Sequence, residues 1–285
     1  MNLILQSLGA ERSTSSAIDR IANLAGVAAA DISSAGRHAW RCDGVDYSEN
    51  LKTLIDAACY GARIDCAWLP AAPKLDDFKL LAMDMDSTLI TIECIDEIAD
   101  MQGLKPQVSA ITEAAMRGEL EFNESLTRRV ALLKGLDASA LQRVLDERLQ
   151  LSPGAETMLA AVKAAGLKTL LVSGGFTFFT DHMKAVLGLD YSHSNVLEIV
   201  DGKLTGKVLG GIVNAEEKKS TVERVCAELG IAPSQAIVMG DGANDLAMMK
   251  IAGLSVAFRA KPVVRAQASV ALNFVGLDGI LPLLA

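Results

Sequence analysis

The sequence predicts an α/β protein: a parallel-sheet core, a helical cap inserted into it, and a small α+β unit in front. Three observations predict this. Apolar runs at Phe78–Met83, Leu167–Val172 and Ala236–Met239 stop abruptly at Asp84, Ser173 and Gly240-Asp241. Helical segments separate the runs, the signature of parallel strands joined by crossovers. Between the first two runs lies Glu93–Leu151, too rich in helical pattern for a simple crossover. The core therefore reads as a Rossmann-like parallel sheet, whose ligands bind beyond the carboxyl ends of the strands.

Taken in order, Asn2–Ser7 is a short apolar strand, and Ser13–Leu24 has helical spacing through Ile18, Ile21 and Leu24. Extended pieces follow at Asp31–Ser34 and His38–Cys42, then a helix over Tyr47–Tyr60 and a strand over Arg63–Trp68. This βαββαβ order makes a ferredoxin-like sandwich. It resembles the ACT-type modules that bind small amino acids, and its role is open between ligand sensing and a structural or dimerising part, a homodimer included. Pro70–Lys74 is a linker, so the units are 1–72 and 76–285, with the cap at about 94–151. Cap helices are expected at Ile95–Met101, Val108–Arg117, Phe122–Leu133 and Ala138–Leu149, broken by Gly103, Gly118 and Gly135. Asn195–Gly210, with Asp201-Gly202 between extended flanks, is a β-hairpin.

The bulk properties exclude several classes. A net charge of −8 argues against a nucleic-acid partner, which needs a basic face. Five cysteines with no CxxC spacing suggest neither a zinc site nor a disulfide framework, and fit a cytoplasmic protein. Mean hydropathy is +0.30, but the apolar residues are dispersed, and neither a signal peptide nor a membrane span is expected.

Polar residues gather where the apolar runs stop. Asp84-Met85-Asp86-Ser87-Thr88 follows the first, and the rigid strand end lets Asp84 and Asp86 face a common point. Ser173-Gly174-Gly175 offers a hydroxyl and close backbone N–H groups suited to phosphoryl oxygens. Gly240-Asp241-Gly242-Ala243-Asn244-Asp245 adds two carboxylates on a glycine-rich turn, and Lys218 supplies a positive charge. Taken singly, each has a bland reading as turn, solvated helix face or loop; their joint placement favours one site. His38, His182 and His193 show no pairing motif, and no G-x-S-x-G elbow is present, so other hydrolase mechanisms are disfavoured.

These four pieces, in this order, resemble the haloacid dehalogenase superfamily, and from about Phe78 onward the phosphoserine phosphatase family within it. The closest stretches are DMDSTLITIECIDEI, NESLTRRVALL, VSGGF and GDGAND. The resemblance implies Mg²⁺-dependent hydrolysis of O-phospho-L-serine, the last step of serine biosynthesis, through an aspartyl-phosphate. It implies Asp84 as nucleophile and Asp86 as general acid and base. Mg²⁺ would sit on Asp84, the Asp86 backbone carbonyl and Asp241, with Asp245 in support. The substrate would meet Glu93 through its ammonium and Arg129 through its carboxylate. Met116 and Phe122 would cover it, and Ser173, Gly174, Lys218 and Asn244 would hold its phosphoryl end. The rivals are a phosphotransferase of the same fold, delivering the phosphoryl group to another alcohol, and a non-catalytic amino-acid-binding regulator.

Overall fold

The computed structural model describes residues 1–9, 11–70, 73–116 and 119–285, and of Met116 the backbone alone. The expected break at Gly118, the end of the second cap helix at Arg117 and the middle of the linker lie outside the described residues, as does the Met116 side chain.

The N-terminal unit runs β1 (Asn2–Ser7), α1 (Arg12–Ala25), β2 (Ala30–Asp31), β3 (His38–Cys42), α2 (Glu49–Gly61), β4 (Asp65–Leu69). The sheet order is β2-β3-β1-β4 with every neighbour antiparallel, which is the split βαβ arrangement the sequence predicts. Helix α2 starts two residues later than expected because Ser48 caps it, its hydroxyl accepting the Leu51 N–H at 3.2 Å.

Strand alternation gives this sheet two faces. Leu3, Leu5 and Trp68 pack under α1 and α2 with Ile18, Ile21 and Ile55, whereas Ile4, Ala67 and Leu69 join the core of the larger unit. Asp65, 2% exposed, fastens the junction. Its carboxylate accepts the backbone N–H groups of Asn273 (2.7 Å), Phe274 (2.9 Å) and Val275 (2.9 Å), and the Asn273 amide. Asp65→Ala strands these donors, so a loss of about 3 kcal/mol is expected in denaturant unfolding. A loss below about 1 kcal/mol would mean that water replaces the carboxylate.

The larger unit continues with β5 (Leu80–Met83), the cap helices α3 (Cys94–Asp100), α4 (Lys105–Met116), α5 (Phe122–Leu132) and α6 (Ser139–Glu147), then α7 (Ala155–Ala164) and β6 (Lys168–Phe176). It ends with α8 (Thr177–Leu187), β7 (Tyr191–Val200), β8 (Lys203–Leu209), α9 (Ala215–Leu229), β9 (Ala236–Gly240), α10 (Leu246–Met249), β10 (Leu254–Phe258), α11 (Pro262–Arg265) and β11 (Val270–Leu272). The sheet order is β11-β10-β9-β5-β6-β7-β8, parallel except for β7-β8. The three expected apolar runs are thus the adjacent strands β9, β5 and β6. Leu80, Ala82, Leu170 and Val238 enter one core, and Leu81, Met83, Leu171 and Met239 the other, because the sheet is covered on both faces.

Two details depart from expectation. Strand β6 continues past Val172 to Phe176, with its ladder shifted between those residues, so Ser173-Gly174-Gly175 is an irregular stretch of strand. The hairpin exists, turning at Asp201 (φ 50°) and Gly202 (φ 74°), but β7 also pairs with β6 and extends the core sheet. Strand β8 grips the turn between α5 and α6: the Gly135 N–H donates to Leu204 O and the Leu204 N–H to Leu136 O, both at 2.8 Å. At the cap's root the two chain passages lie side by side, the Thr91 N–H donating to Gln150 O and the Ser152 N–H to Leu89 O, both at 2.9 Å. The cap is therefore anchored at its base and along one flank, above the carboxyl ends of β5, β6 and β9.

Candidate active site

The first carboxylate sits where β5 stops. The Asp84 N–H donates to Met239 O on β9 at 3.0 Å, fixing the backbone, and Asp84 Oδ1 accepts the Met85 N–H at 2.7 Å. The chain then turns sharply through Ser87, whose φ of 55° is a left-handed conformation that non-glycine residues adopt at a cost. That turn lets the Ser87 hydroxyl donate to Glu93 Oε1 at 2.7 Å, tying the first motif to the start of α3.

Behind this loop lies Lys218, 0% exposed. Its ammonium meets Asp84 Oδ1 at 2.9 Å and Asp245 Oδ1 at 2.7 Å. Asp245 is equally buried, and its Oδ2 accepts the N–H groups of Asp241 (3.1 Å) and Gly242 (3.0 Å). Position 240 must be glycine, since a Cβ there would lie 2.3 Å from Asp245 Oδ2. Asp241 Oδ1 accepts the Thr88 hydroxyl at 3.2 Å.

Asp84, Asp241 and Asp245 place carboxylate oxygens within 4.8 Å of one another, so the trio fits a divalent cation. An oxygen-only donor set suits a hard ion. The electrostatics agree. Burial and then Asp245 push the Asp84 carboxyl well up and Asp241 up to about 7. Burial would lower Lys218, but Asp245 and Asp84 outweigh it and hold the ammonium charged. One buried lysine does not neutralise three facing carboxylates; a bound cation would. The side chain of Asp86 stays outside this trio. Burial, then Glu93, lifts it to about 8, and its Oδ1 is buried without a partner among the described residues.

Above the floor opens a cavity of about 670 Å³. The core contributes Asp84, Asp86, Ser173, Gly174, Asp241 and Asn244. The cap contributes Glu93, Phe122 and Arg129, together with Asp96 and Ser125. The two glycines of β6 stand in close quarters: a Cβ on Gly174 would lie 3.1 Å from the Phe122 ring and one on Gly175 3.0 Å from Asp86 Oδ2, so either substitution would press on a side chain of the cavity. Ser173, buried, accepts the Gly175 N–H on its hydroxyl at 2.9 Å. Burial lowers the Arg129 guanidinium, and the charges of Asp96 and Glu93 oppose that.

Nine of the twelve residues singled out in the sequence line this cavity, while Lys218 and Asp245 lie directly beneath it. The twelfth, Met116, has its side chain outside the described part. Ser87, Asp96, Ser125 and Lys261 also line the cavity and were not singled out. Asp96 and Ser125 carried a usable signal, lying three residues after Glu93 and four before Arg129, on the same helix faces.

A parallel sheet with a carboxylate at the end of its central strand, an inserted cap and an acidic trio on a buried lysine define a phosphate-handling hydrolase architecture. The family model of haloacid dehalogenase-like hydrolases matches residues 78–253, and the chain belongs to that family. Among curated relatives, it is 60% identical over 215 residues to the phosphoserine phosphatase of Polaromonas sp., covering 74% of this chain and 91% of that one. Among solved structures, a haloacid dehalogenase family hydrolase from Salmonella enterica serovar Typhi superposes with a TM-score of 0.89 at 34% identity, covering 100% of this chain and 99% of that one. A probable phosphoserine phosphatase from Vibrio cholerae gives a TM-score of 0.84 at 36% identity, covering 99% and 86%.

Proposed function

We propose that this chain is a Mg²⁺-dependent phosphoserine phosphatase, releasing L-serine and phosphate from O-phospho-L-serine. The observation that carries it is a single cavity with a phosphoryl-handling floor (Asp84, Asp86, Ser173) beneath a cap bearing one acid and one guanidinium, Glu93 and Arg129. A zwitterionic amino acid needs one anion and one cation at fixed separation, and Arg can grip a carboxylate through two hydrogen bonds. The substrate named for the relatives has this form.

The residues then take defined parts. Two donors hold Asp84 Oδ1, leaving Oδ2 to attack phosphorus; the phosphorus–seryl oxygen bond breaks and an aspartyl-phosphate forms. Asp86, raised to about 8, carries a proton at neutral pH and gives it to the departing seryl oxygen. In the second half a water attacks the same phosphorus, Asp86 takes its proton, and Asp84 is regenerated. Ser173 and the Gly174 backbone face the phosphoryl oxygens, and the cap excludes bulk water. When bound on Asp84, Asp241 and Asp245, Mg²⁺ would supply positive charge that lessens repulsion between carboxylate and phosphate.

We divide the chain into an N-terminal unit, 1–72, and a catalytic unit, 76–285. No helix of the described residues is long and apolar enough to cross a membrane, and the five unpaired cysteines support a cytoplasmic setting.

The deciding experiment is phosphate release from a panel of esters with and without Mg²⁺. Mg²⁺-dependent release that prefers L-phosphoserine is expected; activity on other esters alone would discard the substrate while keeping the chemistry. Arg129→Ala is expected to lose about 30- to 150-fold in kcat/KM on phosphoserine and under about threefold on an aryl phosphate. Equal losses would assign Arg129 to folding or to the phosphoryl group.

Mg²⁺ binding is also expected to displace protons. Asp241, with its pKa near 7, holds a proton increasingly as pH falls through that value, so apparent affinity drops toward acid and each binding event releases protons. Calorimetry at about pH 6.5 in two buffers of different ionisation enthalpy reads this directly. Heats that do not depend on the buffer would contradict it.

A further inference from the structure

On α5, Phe122, Ser125 and Arg129 follow at steps of three and four residues, so they form one stripe along the helix, and all three line the cavity. Ser125 is the unusual member. It is 1% exposed, and its hydroxyl has no hydrogen-bond partner among the described residues. Hydroxyls inside helices commonly return to the carbonyl four residues back. Thr127 on the same helix and Thr112 on α4 do so, donating to Asn123 O at 2.7 Å and Val108 O at 3.2 Å. Ser125 does not, although the Glu121 carbonyl lies within reach of its own backbone N–H at 2.9 Å.

A buried hydroxyl without a partner is a liability that alanine would remove, so its presence calls for an explanation outside the folded chain alone. One turn further on, Arg129 Nε is also buried without a partner among the described residues. Two unsatisfied donors thus stand one turn apart on one helix face, at the cap end of the cavity. Donors so placed suit an anion. The carboxylates nearby, Glu93 and Asp96, belong to α3 and its start, and Glu93 Oε1 is already held by Ser87.

We propose that Ser125 is a specificity-determining residue whose hydroxyl donates to the same substrate carboxylate that Arg129 grips. This rests on the phosphoserine reading above. With Glu93 taking the ammonium and Ser173 the phosphoryl group, the carboxylate becomes the third fixed point. Two donors on a rigid helix hold it in one orientation, which one flexible arginine does not ensure. Three fixed points around one carbon select its handedness.

The test compares the native chain, Ser125→Ala and the near-isosteric Ser125→Cys on O-phospho-L-serine and on O-phosphoethanolamine, which lacks only the carboxylate. Ser125→Ala is expected to lower the ratio of kcat/KM for phosphoserine over phosphoethanolamine about tenfold, with the change in KM, as for one hydrogen bond to a charged group. Ser125→Cys, a weaker donor, is expected to fall between the two. The thermal midpoint of the ligand-free Ala variant is expected to equal or exceed that of the native chain. An unchanged ratio, or equal losses on both esters, overturns the proposal while leaving the phosphoserine reading in place. A native chain that hydrolyses phosphoethanolamine but ignores phosphoserine overturns both.

Discussion

Replacing Lys218 with methionine is expected to destabilise the cation-free chain by about 3–5 kcal/mol, because it leaves two buried carboxylates facing each other without their shared ammonium. Methionine keeps most of the apolar stem, so little of this loss comes from packing. Lys218 and Asp245 are fully buried and Asp84 nearly so, and the ammonium lies 2.9 Å from the Asp84 carboxylate and 2.7 Å from that of Asp245. The pH dependence follows from the direction of the shifts. Carboxyls whose folded pKa is raised cost stability when charged, so the deficit is largest at high pH and shrinks as pH falls and Asp84 takes up a proton. Added divalent cation is expected to restore part of it, since the trio of carboxylates that fits a divalent cation is intact. Denaturant unfolding in chelator, at two pH values and then with Mg²⁺, measures all three effects. A loss below about 1 kcal/mol, typical of an exposed ion pair, would show that Lys218 is not the group holding these charges in the fold.

That same lysine shows what the sequence could and could not carry. It stands in the run Glu216–Lys219, where every residue invites reading as a solvated helix face. The helical period distinguishes it: Lys218 aligns with Val222 and Val225, four and seven residues on, and all three are buried. The strand ends were legible because β5 and β9 are covered on both faces and must be continuously apolar until they reach the site. Strand β7 was legible only in part. Its Tyr191-Ser192-His193-Ser194-Asn195 start is polar, and pairing with β6, more than hydrophobic pattern, makes it a strand. Strand β11 is three residues long, too short for a period to register. The left-handed turn at Ser87 has no glycine or asparagine to announce it. Nor could local pattern reveal that Asp65 caps a backbone segment 208 residues away.

Asp84→Asn is expected to reduce phosphate release by roughly 10,000-fold or more, since an amide cannot serve as the nucleophile that divides the displacement into two steps. The substitution isolates charge from shape. Asparagine keeps the size of the side chain and one oxygen able to accept the Met85 N–H and the Lys218 ammonium, the two contacts Asp84 Oδ1 makes. What disappears is a negative charge that burial and Asp245 both disfavour. The cation-free variant is therefore expected to melt at or above the native midpoint, most clearly at high pH, where the native carboxylate is ionised. An inactive chain that is no less stable locates the defect in chemistry and not in folding. The companion readout is trapping. Brief exposure of the native chain to phosphoserine and Mg²⁺, then acid quench, is expected to leave an acyl-phosphate that hydroxylamine cleaves, on the peptide containing Asp84 and absent from the variant. If the variant keeps more than about a hundredth of native activity, well above the residue left when a nucleophile is removed, Asp84 orders the site and the attacking group lies elsewhere. Asp86 and Asp241, the other carboxylates lining the cavity floor, would then be the positions to replace.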